Sequence, residues 1–385
     1  MAAIHLPRAM RIGGGTLAEL PEVLAQFGLS RPLVLTDDWL AASGVLQRVD
    51  DILGAAGIGL RCFTGVVPDP TVASVEAALA FLKQGEHDCV IGLGGGSPID
   101  TAKIVAVKAL RDAPISHFKA PHQEDAPALP IIAVPTTAGI GSEATRFAVI
   151  TDETTDEKML CAGLAYLPTV AIVDYELTLT KPARLTADTG IDSLVHAIEA
   201  YVSKRANPFS DAAALTAMRL IWPNLPIACA DPGNRPAREA LMMGALQGGI
   251  AFSNSSVALV HGMSRPIGAH FHVSHGLSNA MLMPVITQWS APAALPRYAD
   301  CARAMALADD TVSDQGAVGR LVEALHQVNA DLKMPSPRDY GIDKGRWDEL
   351  VPLMASQALA SGSPANNPRV PDASEIAALY AQAWA

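Results

Sequence analysis

The chain has 385 residues, half of them hydrophobic and 17% charged, with a formal net charge of −11. That length accommodates two domains with sizeable cores, and an acidic chain without a basic run excludes a nucleic-acid partner. Five widely spaced cysteines with no CxxC read as reduced, packed thiols of a cytosolic protein.

The chain opens on MAAIHLPRAMRIGGG, which lacks the apolar core of an export signal. No apolar run approaches the roughly 20 residues that span a bilayer, so a cytoplasmic protein with no membrane partner is expected. Through residue 180, short β-type runs at 32–36, 60–63, 88–93, 129–134 and 171–174 alternate with helical patterns such as 43–57 and 71–84. Such alternation means a parallel sheet covered by helices. Beyond about residue 181 the strand signals vanish, and 186–204, 210–230, 235–252, 274–288, 292–308, 316–332 and 372–384 read as helices. Pro182 interrupts the pattern. The expected division is an α/β nucleotide-binding domain, 1–180, and an all-helical metal-binding and catalytic domain, 181–385.

The strand at 88–93 runs straight into Gly94-Gly95-Gly96-Ser97-Pro98. The glycines let backbone N–H groups approach a ligand closely. Ser97 suits an N-cap and Pro98 the first helical position, with Asp100 three residues after the cap. A helix N-terminus behind glycines is suited to a pyrophosphate, although a tight turn alone would also need glycine. The strand-end acid Asp37 precedes these glycines by 57 residues, the reverse of the common dinucleotide fingerprint. Asp37 would hydrogen-bond a ribose hydroxyl and repel a 2′-phosphate, favouring NAD over NADP; a solvated strand-end acid fits the same position. After the strand LPIIAVP comes a second loop, Thr136-Thr137-Ala138-Gly139-Ile140-Gly141-Ser142-Glu143. The two loops are expected side by side at the carboxyl edge of the sheet, where ligands bind. Thr136, Thr137 and Ser142 join the cofactor candidates, and Lys158 could add a positive charge.

In the helical half, TADTGIDSLVHAIEAYVSK places Asp192 and His196 four residues apart, on one face of a helix. The pair alone fits either a salt bridge or a metal site. HGMSRPIGAHFHVSHG then supplies His261, Arg265, His270, His272 and His275. A carboxylate and two or more imidazoles from separate segments can close a shell around a divalent transition metal.

Together GGGSPIDTAK, PTTAGIGSEAT, DTGIDSLVHAIEAYVS and HGMSRPIGAHFHVSHG resemble the iron-containing (group III) alcohol dehydrogenase family, from about residue 12 to the C-terminus and in the family's order. The resemblance implies an N-terminal nucleotide-binding α/β domain, a helical C-terminal domain and assembly as a homodimer or larger. By motif its metal ligands fall on Asp192, His196, His261 and His275. Its cofactor positions fall on Asp37, Gly95, Gly96, Ser97, Thr136, Thr137 and Lys158, with Gly94, Asp100 and Ser142 beside them. It implies hydride transfer between NAD and a small alcohol or aldehyde, assisted by Fe(II) or another divalent metal such as Zn(II), in a cleft between the domains. Two departures stand out. Ile140 occupies a position that is usually Thr, and Arg265 one that is often His and linked to proton transfer.

His275 and Arg265 are the catalytic candidates. Arg265 lies four residues after His261 and could read a substrate carboxylate, as in a hydroxy acid such as 4-hydroxybutyrate; pairing with a protein acid is the other reading, and Pro266 leaves the local helix open to question. His270 and His272 fall outside the ligand positions and read as packed or exposed side chains. The competing activity is a dehydroquinate-synthase-like lyase that uses NAD transiently. Such a site needs clustered basic residues for a phosphate, and these are scattered.

Overall fold

Short runs of three to six mostly apolar residues build the sheet. In the computed structural model, which describes residues 2–155 and 157–384, β1 (Ala9–Ile12), β2 (Pro32–Leu35), β3 (Arg61–Phe63), β4 (Cys89–Gly94), β5 (Ile131–Pro135) and β8 (Val170–Val173) form one sheet. Its order is β1-β8-β5-β4-β2-β3, and every pairing is parallel. β6 (Phe147–Asp152) and β7 (Glu157–Ala162) make a separate antiparallel hairpin. Successive strand side chains point to opposite faces. Leu33, Leu35, Val90 and Ile131 therefore pack on one side with α4 (Val72–Leu82) and α5 (Gly96–Lys108). Val34, Ile91, Leu93, Ile132 and Val134 pack on the other with α1 (Leu20–Gln26) and α3 (Val45–Ala55). A short α2 (Asp38–Ala42) follows β2. Burial on both faces explains why the strands read as continuous apolar runs.

The chain folds as two compact units, one comprising His5–Thr180 and the other Lys181 onward together with the first few residues. The second is all-helical among its described residues: α6 (Ala183–Val202), α7 (Pro208–Ala230), α8 (Arg235–Ser253), α9 (Leu259–Phe271), α10 (His275–Ser290), α11 (Leu295–Ala304), α12 (Asp314–Asp331), α13 (Pro337–Tyr340), α14 (Lys344–Ala360) and α15 (Ala373–Ala383). No helix among the described residues is long and apolar enough to cross a membrane. All five cysteines are free thiols, and three of them are buried.

Two local expectations change, and one point left open by the sequence is answered. The helix after the glycines begins at Gly96 with Gly95 as its cap, and no side chain caps it. Ser97 thus sits inside the first turn, because glycine reaches the cap conformation without needing a side-chain oxygen. Pro266 does not end α9, which continues to Phe271. Pro266 and Ile267 are buried there, and packing outweighs the roughly 3 kcal/mol that an interior proline costs. The second change concerns strand β1 and the β6–β7 hairpin, which lie outside the strand runs expected from the sequence.

Candidate active site and metal centre

Leu35 is paired with Gly92 in adjacent strands, so Asp37 and Gly94, two residues further on in each strand, stand level at the carboxyl edge. Connections leave β2 and β4 in opposite directions, toward β3 on one side and β5 on the other, which makes this pair the switch point of the sheet. The two glycine loops do lie side by side. Thr136 N–H donates to Gly94 O at 2.8 Å, and a Cβ on Gly95 or Gly96 would meet Thr137 Oγ1 at 3.5 Å or Ile140 Cδ1 at 2.4 Å. Gly94 has φ +151°, accessible to glycine alone in practice. The first turn of α5 has no side-chain cap, and helix N-termini of this kind can receive an anion.

The other cofactor candidates have structural partners. Asp37 caps α2, its Oδ1 accepting from Leu40 N–H at 2.7 Å. Lys158 is largely buried on β7 and pairs with Asp69 Oδ1 at 3.0 Å. Asp69 is left-handed, φ +49°, and sequence reading missed it; its place between Pro68 and Pro70 was the available signal. Asp100 and Ser142 belong to a buried network. Ser142 Oγ donates to Asp100 Oδ1 at 2.6 Å and accepts from Lys103 Nζ at 2.9 Å. Lys103 Nζ also reaches Thr145 O, Thr145 Oγ1 and Phe147 O, and Val149 N–H donates to Asp100 Oδ2 at 2.9 Å. The network ties α5 to the second loop and to β6. Burial brings Lys103 down to about 8 and lifts the Glu143 carboxyl to about 7, the neighbouring opposite charge resisting each shift.

The helical unit gathers the metal candidates. Asp192, His196 and Glu199 occupy positions i, i+4 and i+7 of α6, one face of that helix. His261 comes from the first turn of α9 and His275 from the first residue of α10. Donor atoms of Asp192, His196, His261 and His275 all lie within 4.8 Å of one another. From Asp192 Oδ1 the imidazole Nε2 atoms stand at 3.9 Å (His196), 3.5 Å (His261) and 3.7 Å (His275). Tetrahedral ligation at about 2.1 Å needs edges of about 3.4 Å, so the three edges from Asp192 fit an ion with a small contraction. His196 is sandwiched, stacking on Phe252 at 4.3 Å and on His261 at 4.4 Å.

Glu199, absent from the sequence-based site, orients the set. Its carboxylate accepts from the N–H groups of Ala258 at 2.9 Å and Val260 at 2.5 Å, where α9 has no side-chain cap of its own. It also accepts from His261 Nδ1–H at 2.7 Å, which turns the Nε2 lone pair of neutral His261 toward Asp192. A carboxylate behind a ligating imidazole is the usual way a metal site fixes tautomer and ring angle. Burial opposes charge on Asp192, but His196, His275 and His261 outweigh it and hold the carboxyl well below its ordinary range. His261 is raised: burial pushes it down, and Asp192 and Glu199 more than offset that. A cation binding here would compete with protons for the imidazole nitrogens. Three of the donors are almost wholly buried, whereas the His275 side chain is 29% exposed; the open side of the set is beside it.

Arg265 is half-buried one turn beyond His261 on α9, with Nη1 donating to Ser363 Oγ at 3.2 Å. Burial lowers its pKa and the charge of Glu199 opposes the shift. His270 bonds Gln357 Oε1 at 2.8 Å, and His272 is the exposed, left-handed cap of α9. Neither joins the donor set.

Residues 7–175 match the family model described as "Iron-containing alcohol dehydrogenase", and residues 186–384 match "Fe-containing alcohol dehydrogenase family, C-terminal". The chain therefore belongs to the iron-containing alcohol dehydrogenase family, and its activity class is that of an alcohol dehydrogenase. Among its relatives, the NAD-dependent methanol dehydrogenase of Bacillus methanolicus is 36% identical over all of both chains. The lactaldehyde reductase of Escherichia coli (strain K12) is 34% identical over 97% of each. A solved 1,3-propanediol oxidoreductase covers the whole of both chains with a TM-score of 0.95 at 34% identity.

Proposed function

We propose that the protein interconverts a small alcohol and its aldehyde with NAD(H) and a divalent cation held by Asp192, His196, His261 and His275. The observation that carries this reading is the four-donor set with Glu199 locked behind His261. The dinucleotide supplies the hydride chemistry, and the cation supplies Lewis acidity toward the substrate oxygen. The first-turn N–H groups after Gly95, with Thr136 and Thr137, would hold the pyrophosphate, and Asp37 a ribose hydroxyl. Lys158 adds positive charge tempered by Asp69. Three imidazoles with one carboxylate accept Fe(II) or Zn(II). A preference for NAD agrees with the charge of Asp37 and with the name of the Bacillus methanolicus relative.

The substrate class we favour is a short hydroxy acid, such as 4-hydroxybutyrate, or its semialdehyde. Arg265 shares a helix with His261, and among the described residues its side chain makes one hydrogen bond, to Ser363. Its remaining donors suit a carboxylate, a charge-assisted contact of about 1.5–3 kcal/mol. The test is a panel of simple alcohols and ω-hydroxy acids with NAD, on protein reconstituted with Fe(II) or Zn(II). Steady NADH accumulation supports a dehydrogenase; turnover without net NADH points to a lyase instead. A selective rise in KM for the acid in Arg265→Ala supports the carboxylate role. An equal loss for acid and alcohol makes Arg265 structural.

A further inference from the structure

The donor set contains a fifth polar group. Asn279, one turn after His275 on α10, is fully buried. Its Nδ2 stands 2.6 Å from Asp192 Oδ1, 3.3 Å from His261 Nε2 and 3.4 Å from His275 Nε2. Its Oδ1 is buried without a hydrogen-bond partner. An orphaned buried carbonyl is destabilising, so local stability does not account for this placement.

The distances assign the amide a role. A carboxylate buried beside three imidazoles would ordinarily draw one of them into a hydrogen bond, which consumes the imidazole lone pair a metal needs. Here the imidazole nitrogens stay 3.5–3.9 Å from Asp192 Oδ1, and the close donor to that oxygen is Asn279. His261 is meanwhile held from behind by Glu199. We infer that Asn279 is a positioning residue of the metal centre: its amide holds Asp192 Oδ1 so that carboxylate and imidazoles converge on a cation instead of on each other. This rests on the metal-site reading above.

The test measures metal binding without turnover. Zn(II) and Fe(II) dissociation constants, by competition with a chromophoric chelator, and the metal-induced rise in Tm are compared for wild type, Asn279→Ala and Asn279→Leu. Leu keeps the branched side-chain shape and removes the donor. Both variants should bind metal 10- to 100-fold more weakly, the range typical of residues that orient ligands, with a smaller metal-induced rise in Tm. Unchanged affinity and an unchanged rise, with Tm lowered equally in the presence and absence of metal, would make Asn279 a packing residue and overturn the inference. A wild type that shows no metal-induced rise would overturn the metal-site reading itself, which keeps the two failures apart.

Discussion

At the scale of single residues, two buried carboxylates lead to different tests. Glu199 joins the start of α9 to the ring of His261. Glu199→Gln keeps the size and removes the charge, so metal affinity should fall about 10- to 100-fold in a chelator competition assay while the far-ultraviolet spectrum is retained. His261→Ala removes a donor outright and should abolish metal retention and turnover with the fold intact; full activity with metal still bound would sink the ligand assignment. Glu143 concerns stability. Burial lifts its carboxyl from 4.5 to about 7, so between those values the folded chain keeps a proton that the unfolded chain has released. The contribution of Glu143 to stability is thus intact below pH 4.5, declines as pH rises through the window, and is lost above about 7. Denaturant titrations across pH 4–8 should show this decline in wild type relative to Glu143→Gln, by about 1–3 kcal/mol in total. A constant difference across the range would mean that the carboxyl is not held protonated.

At the scale of elements, the site depends on how closely helices approach. A Cβ on Gly276 would lie 2.1 Å from Asp188 O, a backbone atom of α6 that has no freedom to swing aside. Gly276 directly follows His275, so separating α10 from α6 also moves a proposed ligand. Gly276→Ala should destabilise by about 1–3 kcal/mol or more, a Tm drop of roughly 2–10 °C, with weakened metal binding. Gly248→Ala is the control: its Cβ would meet Ser193 O at an ordinary 3.4 Å, and it should leave both readouts near wild type. The same elements show what was legible beforehand. Helices α6, α7, α8, α10 and α12 carry long apolar patterns, and the buried strands of the sheet carry short apolar runs bounded by turn residues. Strand β1 has four residues, one of them Arg11, and sits at the sheet edge, so little in AMRI marks it. The β6–β7 hairpin hid behind its polar connection, although the side chains of Phe147–Asp152 do alternate. The candidate ligands Asp192, His196, His261 and His275 were visible as residue types that bind metals. Glu199 and Asn279 were not, because each acts through another residue; only the i+7 spacing of Glu199 from Asp192 placed it on the same face. Ser97 drew attention as a cap because a hydroxyl before a helix usually is one, and glycine took that place.

At the scale of the whole molecule, the candidate residues for the two binding tasks fall in different units. Every candidate metal donor lies beyond Lys181, and every cofactor candidate lies within His5–Thr180. Changes confined to one set are then expected to act first on that set's own ligand, because no residue belongs to both. Asp37 tests this together with cofactor choice. Its carboxylate caps α2 through Leu40 N–H, and as a charge at the switch point of the sheet it would repel a 2′-phosphate. Asp37→Asn keeps a capping oxygen and removes the charge. Asp37→Gly removes both, but glycine is itself a tolerated cap and gives up only a few tenths of a kcal/mol. Both variants should raise kcat/KM for NADP relative to NAD, with Zn(II) affinity and Tm close to wild type. A rise in Asp37→Gly alone would trace the effect to the shape of the turn instead of its charge, and a wild type that already prefers NADP would remove Asp37 from cofactor selection altogether. The reciprocal measurement uses His261→Ala, which should still bind NADH by fluorescence titration after losing its metal. If it did not, the two sites would be energetically coupled, and the expectation that each set acts first on its own ligand would be wrong.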